Sequence, residues 1–209
     1  MIHIKKGTEP REWTERKATP GFKYEATPEL RNALLHEQGY ICAYCMRRIP
    51  TPVNDLKANE TSKIEHIQSR KNRPDLQLDY SNMAICCPGN LNNESHCDTA
   101  KKDSNLCFPL YNIELQESIY YSLKDGSISS KREDWNNDIQ NVLKLNHPLL
   151  KKNRNAALNG VIEAMKSLGW NHQTVNRKYN HYQSRNAEGK FNEYCGIVIW
   201  YLEKKIRQL

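Results

Sequence analysis

Seven cysteines punctuate this chain, and their spacing limits its fold more than any other feature. Cys42 and Cys45 enclose only Ala43 and Tyr44, the spacing of a knuckle turn that offers both sulfurs to one tetrahedral ion. A lone pair of this kind also occurs as a redox couple or by chance, so the downstream cysteines decide the matter. Cys86, Cys87 and Cys97 bring enough further sulfur for a four-cysteine structural Zn²⁺ site. Strand pleating sets whether Cys86 or Cys87 points at the ion; Cys87 is favoured, with Cys97 as the fourth ligand. His96, beside Cys97, is able to replace a ligand. Cys107 and Cys195 read as buried thiols, the ordinary state of free cysteine.

A second pattern is threaded through the first. Ile64-Glu65-His66-Ile67 reads as a short strand, Met83 to Cys87 as the next strand, and Cys97 as the start of a short helix. Glu65 and Asp98 are hard oxygen donors suited to Mg²⁺ or Mn²⁺. A neutral His66 can take a proton from an attacking water. Asn82 can bridge the backbone of the loop that carries His66. Lys101 lies one helical turn after Asp98 and can offset phosphate charge, although a solvated helix lysine is as good a reading. Arg70, Lys71 and Arg73, in the loop from Gln68 to Asp79, form a candidate nucleic-acid contact, with a merely solvated basic loop as the plainer alternative. Neighbours on a strand point to opposite faces, so Glu65 and His66 share a site only where the strand bends or ends. Each residue alone is weak evidence, but their joint order is hard to reach by accident.

The charge balance agrees with a polyanionic partner. The chain has 31 Lys and Arg against 24 Asp and Glu, a net +7, and cations that neutralise phosphates release bound counterions. No apolar run approaches the roughly 20 residues that span a bilayer; the longest, Tyr194 to Leu202, is interrupted by Gly196. The first residues lack the apolar core of a signal peptide. A cytoplasmic location without membrane contact is therefore expected, and in that reducing setting cysteines favour zinc over disulfides.

Residues 1–26, with Pro10, Pro20 and little periodicity, read as an extended arm packed down by Trp13, Phe22 and Tyr24. Thr27-Pro28 starts the first helix and Gly39 ends it. Tyr40 to Ile49 reads as a hairpin around the cysteine pair, and Thr51 to Lys63 as a polar loop. The span 27–110 is expected to be the zinc-bearing core. Residues 111–209 read as a hairpin turning at Asp125-Gly126, then helices with stripes at Ile139, Val142, Leu143, at Leu158, Val161, Ile162, Met165, Leu168 and at Phe191, Tyr194, Cys195, Val198, Leu202. The fold class is α+β, with a helical C-terminal half packed on the core.

At these residues the chain resembles HNH endonucleases, and more narrowly the PtuB-like proteins of Septu-type and retron-associated antiphage systems. The likeness runs through Glu9-Pro10, Gln38 to Cys45, Ile64 to Ile67, His96-Cys97-Asp98, and Leu143-Lys144-Leu145-Asn146 to Arg154. It implies a ββα-metal, treble-clef-like core with zinc, nuclease activity on DNA or RNA (tRNA included), and an adjacent ABC/SMC-like ATPase partner of the PtuA type. A retron reverse transcriptase with its msDNA is part of that setting. By position it makes His66 the general base, Glu65 and Asp98 the metal ligands, and Asn82 the supporting residue. Glu65 stands where the family pattern has Asp or His, and Asp98 where it has Asn or His. A non-catalytic zinc module binding nucleic acid or a protein is the competing expectation.

Overall fold

The computed structural model describes residues 1–51, 58–91 and 94–209. The loop expected over Thr51 to Lys63 and the insertion expected between Cys87 and Cys97 lie partly outside those residues.

The architecture is mixed helix and strand. The N-terminal arm is not extended throughout, because Arg11–Lys17 forms a helix, α1. Its pairs Arg11–Glu15 and Arg16–Glu12 sit at i,i+4, with an acid in the first turn and bases in the last. That arrangement suits the helix dipole and leaves no apolar stripe for a periodicity argument to find. Trp13, on its inner face, is buried. In α2 (Pro28–Glu37) the Thr27 side chain accepts from the Leu30 amide at 3.2 Å, and Pro28 occupies the first turn. Leu30 and Leu34 bury one face. Gly39 (φ +59) then reverses the chain against the Phe191 ring, which lies where a β-carbon would project.

The cysteine pair lies in a tight reversal held by the Ile41–Arg48 bridge. A short helix, α3 (Ala58–Thr61), leads into β1 (Lys63–His66), which pairs antiparallel with β2 (Met83–Cys86), Glu65 opposite Ala84. The small ladder of β3 (Asn90–Leu91) and β4 (Glu94–Ser95) follows. Cys97, at positive φ, opens α4 (Cys97–Lys101), and its amide donates to the Leu143 carbonyl at 2.8 Å.

Beyond α5 (Ile113–Ser118), strands β5 (Ile119–Tyr121) and β6 (Ile128–Ser130) form the hairpin expected at Asp125-Gly126. Helix α6 (Glu133–Asn137) runs into a π-turn, and α7 (Pro148–Leu168) carries the buried stripe Leu158, Val161 and Met165. Helix α8 (His172–Gln183) has no counterpart in the sequence reading. It buries only Val175 and starts from a capping box between Asn171 and Thr174, so its signal is polar. Helix α9 (Cys195–Ile206) is buried along most of its length, while Phe191 and Tyr194 precede it. It approaches the cysteine turn closely, since a β-carbon on Gly196 would lie 2.6 Å from the Met46 methyl. The Tyr194 amide also donates to the Met46 carbonyl at 2.9 Å. One buried apolar cluster runs through both halves of the chain. Cys195 is buried as expected, but Cys107 is exposed, because its backbone amide is turned inward onto Asp138 while the thiol faces out. No helix among the described residues is long and apolar enough to cross a membrane.

Candidate metal centre and acidic pocket

Cys42, Cys45, Cys87 and Cys97 converge, all buried, with their sulfurs within 4.8 Å of one another. The Cys42–Cys97 and Cys45–Cys87 sulfurs are 3.8 and 3.7 Å apart. Zn–S bonds of about 2.3 Å in a tetrahedron place sulfurs about 3.8 Å apart, so the donor set fits a metal ion such as zinc. Cys86 is buried but lies outside the set, on a strand position opposite Lys63. Burial works against a Cys42 thiolate, yet the sulfhydryls of Cys45, Cys86, Cys87 and Cys97 hold it well below the usual thiol range. Burial pushes Cys45 and Cys97 up. A dication resolves that competition by accepting several thiolates at once.

Gln38 explains why the turn and β2 meet. Its buried amide donates to the Ile41 and Ile85 carbonyls at 3.1 and 2.8 Å and accepts from the Ile85 amide at 2.8 Å. With the Ala43 amide on the same Ile85 carbonyl, it ties the cysteine pair to the strand that delivers Cys87. His96 is fully buried beside the cluster, Nδ1 3.1 Å from the Cys97 sulfur. Its place is therefore against a ligand sulfur, an arrangement that orients metal ligands from outside the coordination shell.

Glu65, His66 and Asp98 line one cavity of about 460 Å³, together with Tyr24, Arg31, Lys63, Arg70, Lys71, Lys102 and Asp103. Strand β1 ends at His66, so Glu65 and His66 are its last two residues, and both line the cavity; the Ile67 amide still donates to the Asn82 carbonyl at 2.9 Å. His66 Nε2 lies 2.9 Å from the Gln77 carbonyl. A carbonyl only accepts, so Nε2 carries the proton and Nδ1 holds the lone pair. Burial pushes His66 down to about 4, against the pull of the Gln77 carbonyl, so the ring is neutral at neutral pH. Asn82 braces the loop behind it. Its Oδ1 accepts from the Gln68 amide at 2.8 Å, and its Nδ2 donates to the Gln68 and Leu76 carbonyls at 3.0 and 3.2 Å.

Lys101 departs from the expectation that it offsets phosphate charge, and from its solvated alternative. It is 1 % exposed, bridges to Glu65 at 2.8 Å and donates to the His66 carbonyl at 3.0 Å. The short helix turns it inward because Glu65 is the charge it can reach. Tyr44, from between the first two cysteines, donates to the same carboxylate at 3.1 Å. Burial first, and then Asp98, push the Glu65 carboxyl well above its usual range, with Lys101 opposing. Of the expected basic residues, Arg70 and Lys71 line the cavity and Arg73 does not. Two bonds of 2.9 and 2.6 Å fork Arg73 onto Asp75 on the exposed side of the loop.

The sequence reading passed over Lys63, which donates to Thr99 at 2.7 Å and lies 3.5 Å from Asp98. It also missed Arg31, whose guanidinium binds the Ser62 carbonyl and hydroxyl at 2.8 Å each. Tyr24, read as arm packing, meets the His66 ring at 84°, with centroids 4.5 Å apart. No local spacing links these residues to the motif. Among the described residues, the four cysteines are the only group of three or more such side chains close enough to hold an ion. No protein-family model and no curated protein sequence matches the chain.

Proposed function

We propose that this chain is a metal-dependent endonuclease of the HNH type, cutting phosphodiester bonds in DNA or RNA on a ββα-metal core made by β1, β2 and α4. One observation carries the reading: Glu65, His66 and Asp98 meet in a cation-rimmed pocket beside a four-cysteine site. His66 acts as the base through Nδ1, its ring held by the Gln77 carbonyl and its loop by Asn82. Lys101 orients Glu65, while Lys63 and Arg70 stand where a phosphate would enter. Glu65 and Asp98 suit a Mg²⁺ or Mn²⁺ ion, which when bound supplies charge against the phosphate and the leaving oxygen. The likeness to PtuB-like proteins extends the proposal to a toxic antiphage effector working with an ABC-type ATPase.

The test is cleavage of mixed cellular DNA and RNA with Mg²⁺ or Mn²⁺, with and without the neighbouring ATPase, beside His66→Ala. Cutting that vanishes in the variant supports the reading and identifies the polymer. Absence of cutting even with ATPase and nucleotide present sinks it. A zinc module without catalysis is then the better reading, and one observation favours it now: Glu65 is already neutralised by a buried lysine.

A further inference from the structure

Arg70 stands exposed at the rim of the pocket with its guanidinium 4.6 Å from the Tyr24 ring centroid. Among the described residues no hydrogen bond or ion pair engages it. Its neighbours differ, since Lys71 faces Asp103 and Lys63 faces Asp98, each at 3.5 Å, and Arg73 is forked onto Asp75. The ring beneath Arg70 is well anchored. Tyr24 packs edgewise on Trp13 at 6.1 Å, and the buried Trp13 donates to the Leu78 carbonyl at 3.1 Å. The same Tyr24 touches His66. The guanidinium therefore lies over an aromatic ring held by its neighbours, on an exposed residue that lines the same pocket as Glu65, His66 and Asp98.

A planar guanidinium held in this way is a surface on which an unpaired base stacks. A base inside a duplex already has both faces occupied by its neighbours and cannot use it. The cavity that Arg70 lines, about 460 Å³, is on the scale of a small-molecule pocket. Glu65 and His66 are buried on its floor, so a reacting phosphate has to enter rather than lie across the mouth. The geometry points to an unpaired nucleotide as the ligand of this rim: a base stacks on Arg70, the free N–H groups hold the adjoining phosphate, and the protein prefers single strands to duplex. This deepens the nuclease reading and rests on it for the place of the scissile phosphate, but the preference itself is read by binding alone.

The experiment is fluorescence anisotropy with the whole zinc-loaded chain and no added Mg²⁺ or Mn²⁺. The probe is a fluorescein-labelled mixed-sequence oligonucleotide, in deoxy and ribo forms, presented as a single strand and as its annealed duplex. The single strand is expected to bind about tenfold tighter, the value of one base stack. Arg70→Ala and Arg70→Lys should both bring the two forms to parity, because lysine keeps the charge and loses the plane. Arg73→Ala, outside the pocket, should keep the preference. Equal or tighter duplex binding, binding of neither form, or an Arg70→Ala variant that weakens both equally would overturn the inference. A single-strand preference in a protein that never cuts overturns the nuclease reading alone; cutting without the preference overturns this inference alone.

Discussion

The cysteine cluster and the acidic pocket are assembled from the same elements, yet they solve their electrostatics in opposite ways. Cys97 and Asp98 are neighbours on α4, one serving each site. At the cluster four sulfurs are driven together in the interior with no lysine or arginine bonded to them among the described residues, so a dication would balance their thiolates. At the pocket the protein brings its own cation, Lys101, to the buried carboxylate and leaves Asp98 and the basic rim in contact with solvent. The first donor set is closed and suits an ion. The second is braced by the protein and open.

Removing a cluster ligand should have the largest effect. Structural zinc in small domains supplies about 10–16 kcal/mol, comparable to or above the roughly 5–15 kcal/mol that keeps a domain folded. Cys42→Ser or Cys97→Ser should therefore lose bound zinc and the cooperative thermal transition together, measured by elemental analysis and calorimetry. A variant that kept a normal melt without metal would break the contrast between the two sites.

Lys101→Met should come next, because it leaves the buried Glu65 without its counter-ion, with only Tyr44 bonded to it, at a cost of about 3–5 kcal/mol in urea unfolding. Zinc content should stay unchanged, and adding Glu65→Gln should restore most of the loss. If the double variant recovers nothing, Lys101 is packing rather than compensation.

Acid should reveal the buried histidine. Folding lowers His66 from 6.5 to about 4, so the unfolded chain takes up the proton first as pH falls. Its contribution is complete above pH about 6.5 and is lost as pH drops toward about 4, to a total of about 3 kcal/mol. His66→Gln should flatten that part of the stability–pH curve relative to the parent, and an unchanged slope would remove the histidine from the account.

Asn82→Ala should cost about 1–3 kcal/mol through the unpaired Gln68 and Leu76 groups it leaves. It should also lower any cleavage while zinc stays bound, which separates bracing of the pocket from integrity of the cluster. The smallest change is expected from Cys86→Ala, with full zinc content and a stability loss of about 1 kcal/mol. Loss of metal in that variant would redraw the ligand set.

Features carried by short spacings were legible without coordinates. The start of α2 at Thr27-Pro28 and the β5–β6 turn rest on local geometry a few residues long, whereas strand register left Cys86 and Cys87 as rivals and Cys87 was preferred from its place in the HNH-like order. Helix α1 was missed because i,i+4 ion pairs support it, and α8 because its cap is polar and it buries little. Cys107 and Lys101 face otherwise than expected for a common reason: each is directed by a partner distant in sequence, Asp138 and Glu65. Tyr24 is the sharpest case. Nothing near it in sequence connects it to His66, and only packing of the arm through Trp13 brings it there.

Amino-acid order alone thus pointed to the mixed class, to a four-cysteine set with Cys86 and Cys87 as rivals for one place, and to the acids and histidine that lie near them in the chain. Folding in three dimensions decided which way those groups face: Lys101 inward to Glu65, and Arg70 over the Tyr24 ring. The physical reason is one of range. A spacing constrains the backbone over a few residues, whereas a charge or a ring takes its direction from whatever partner the rest of the chain brings within reach.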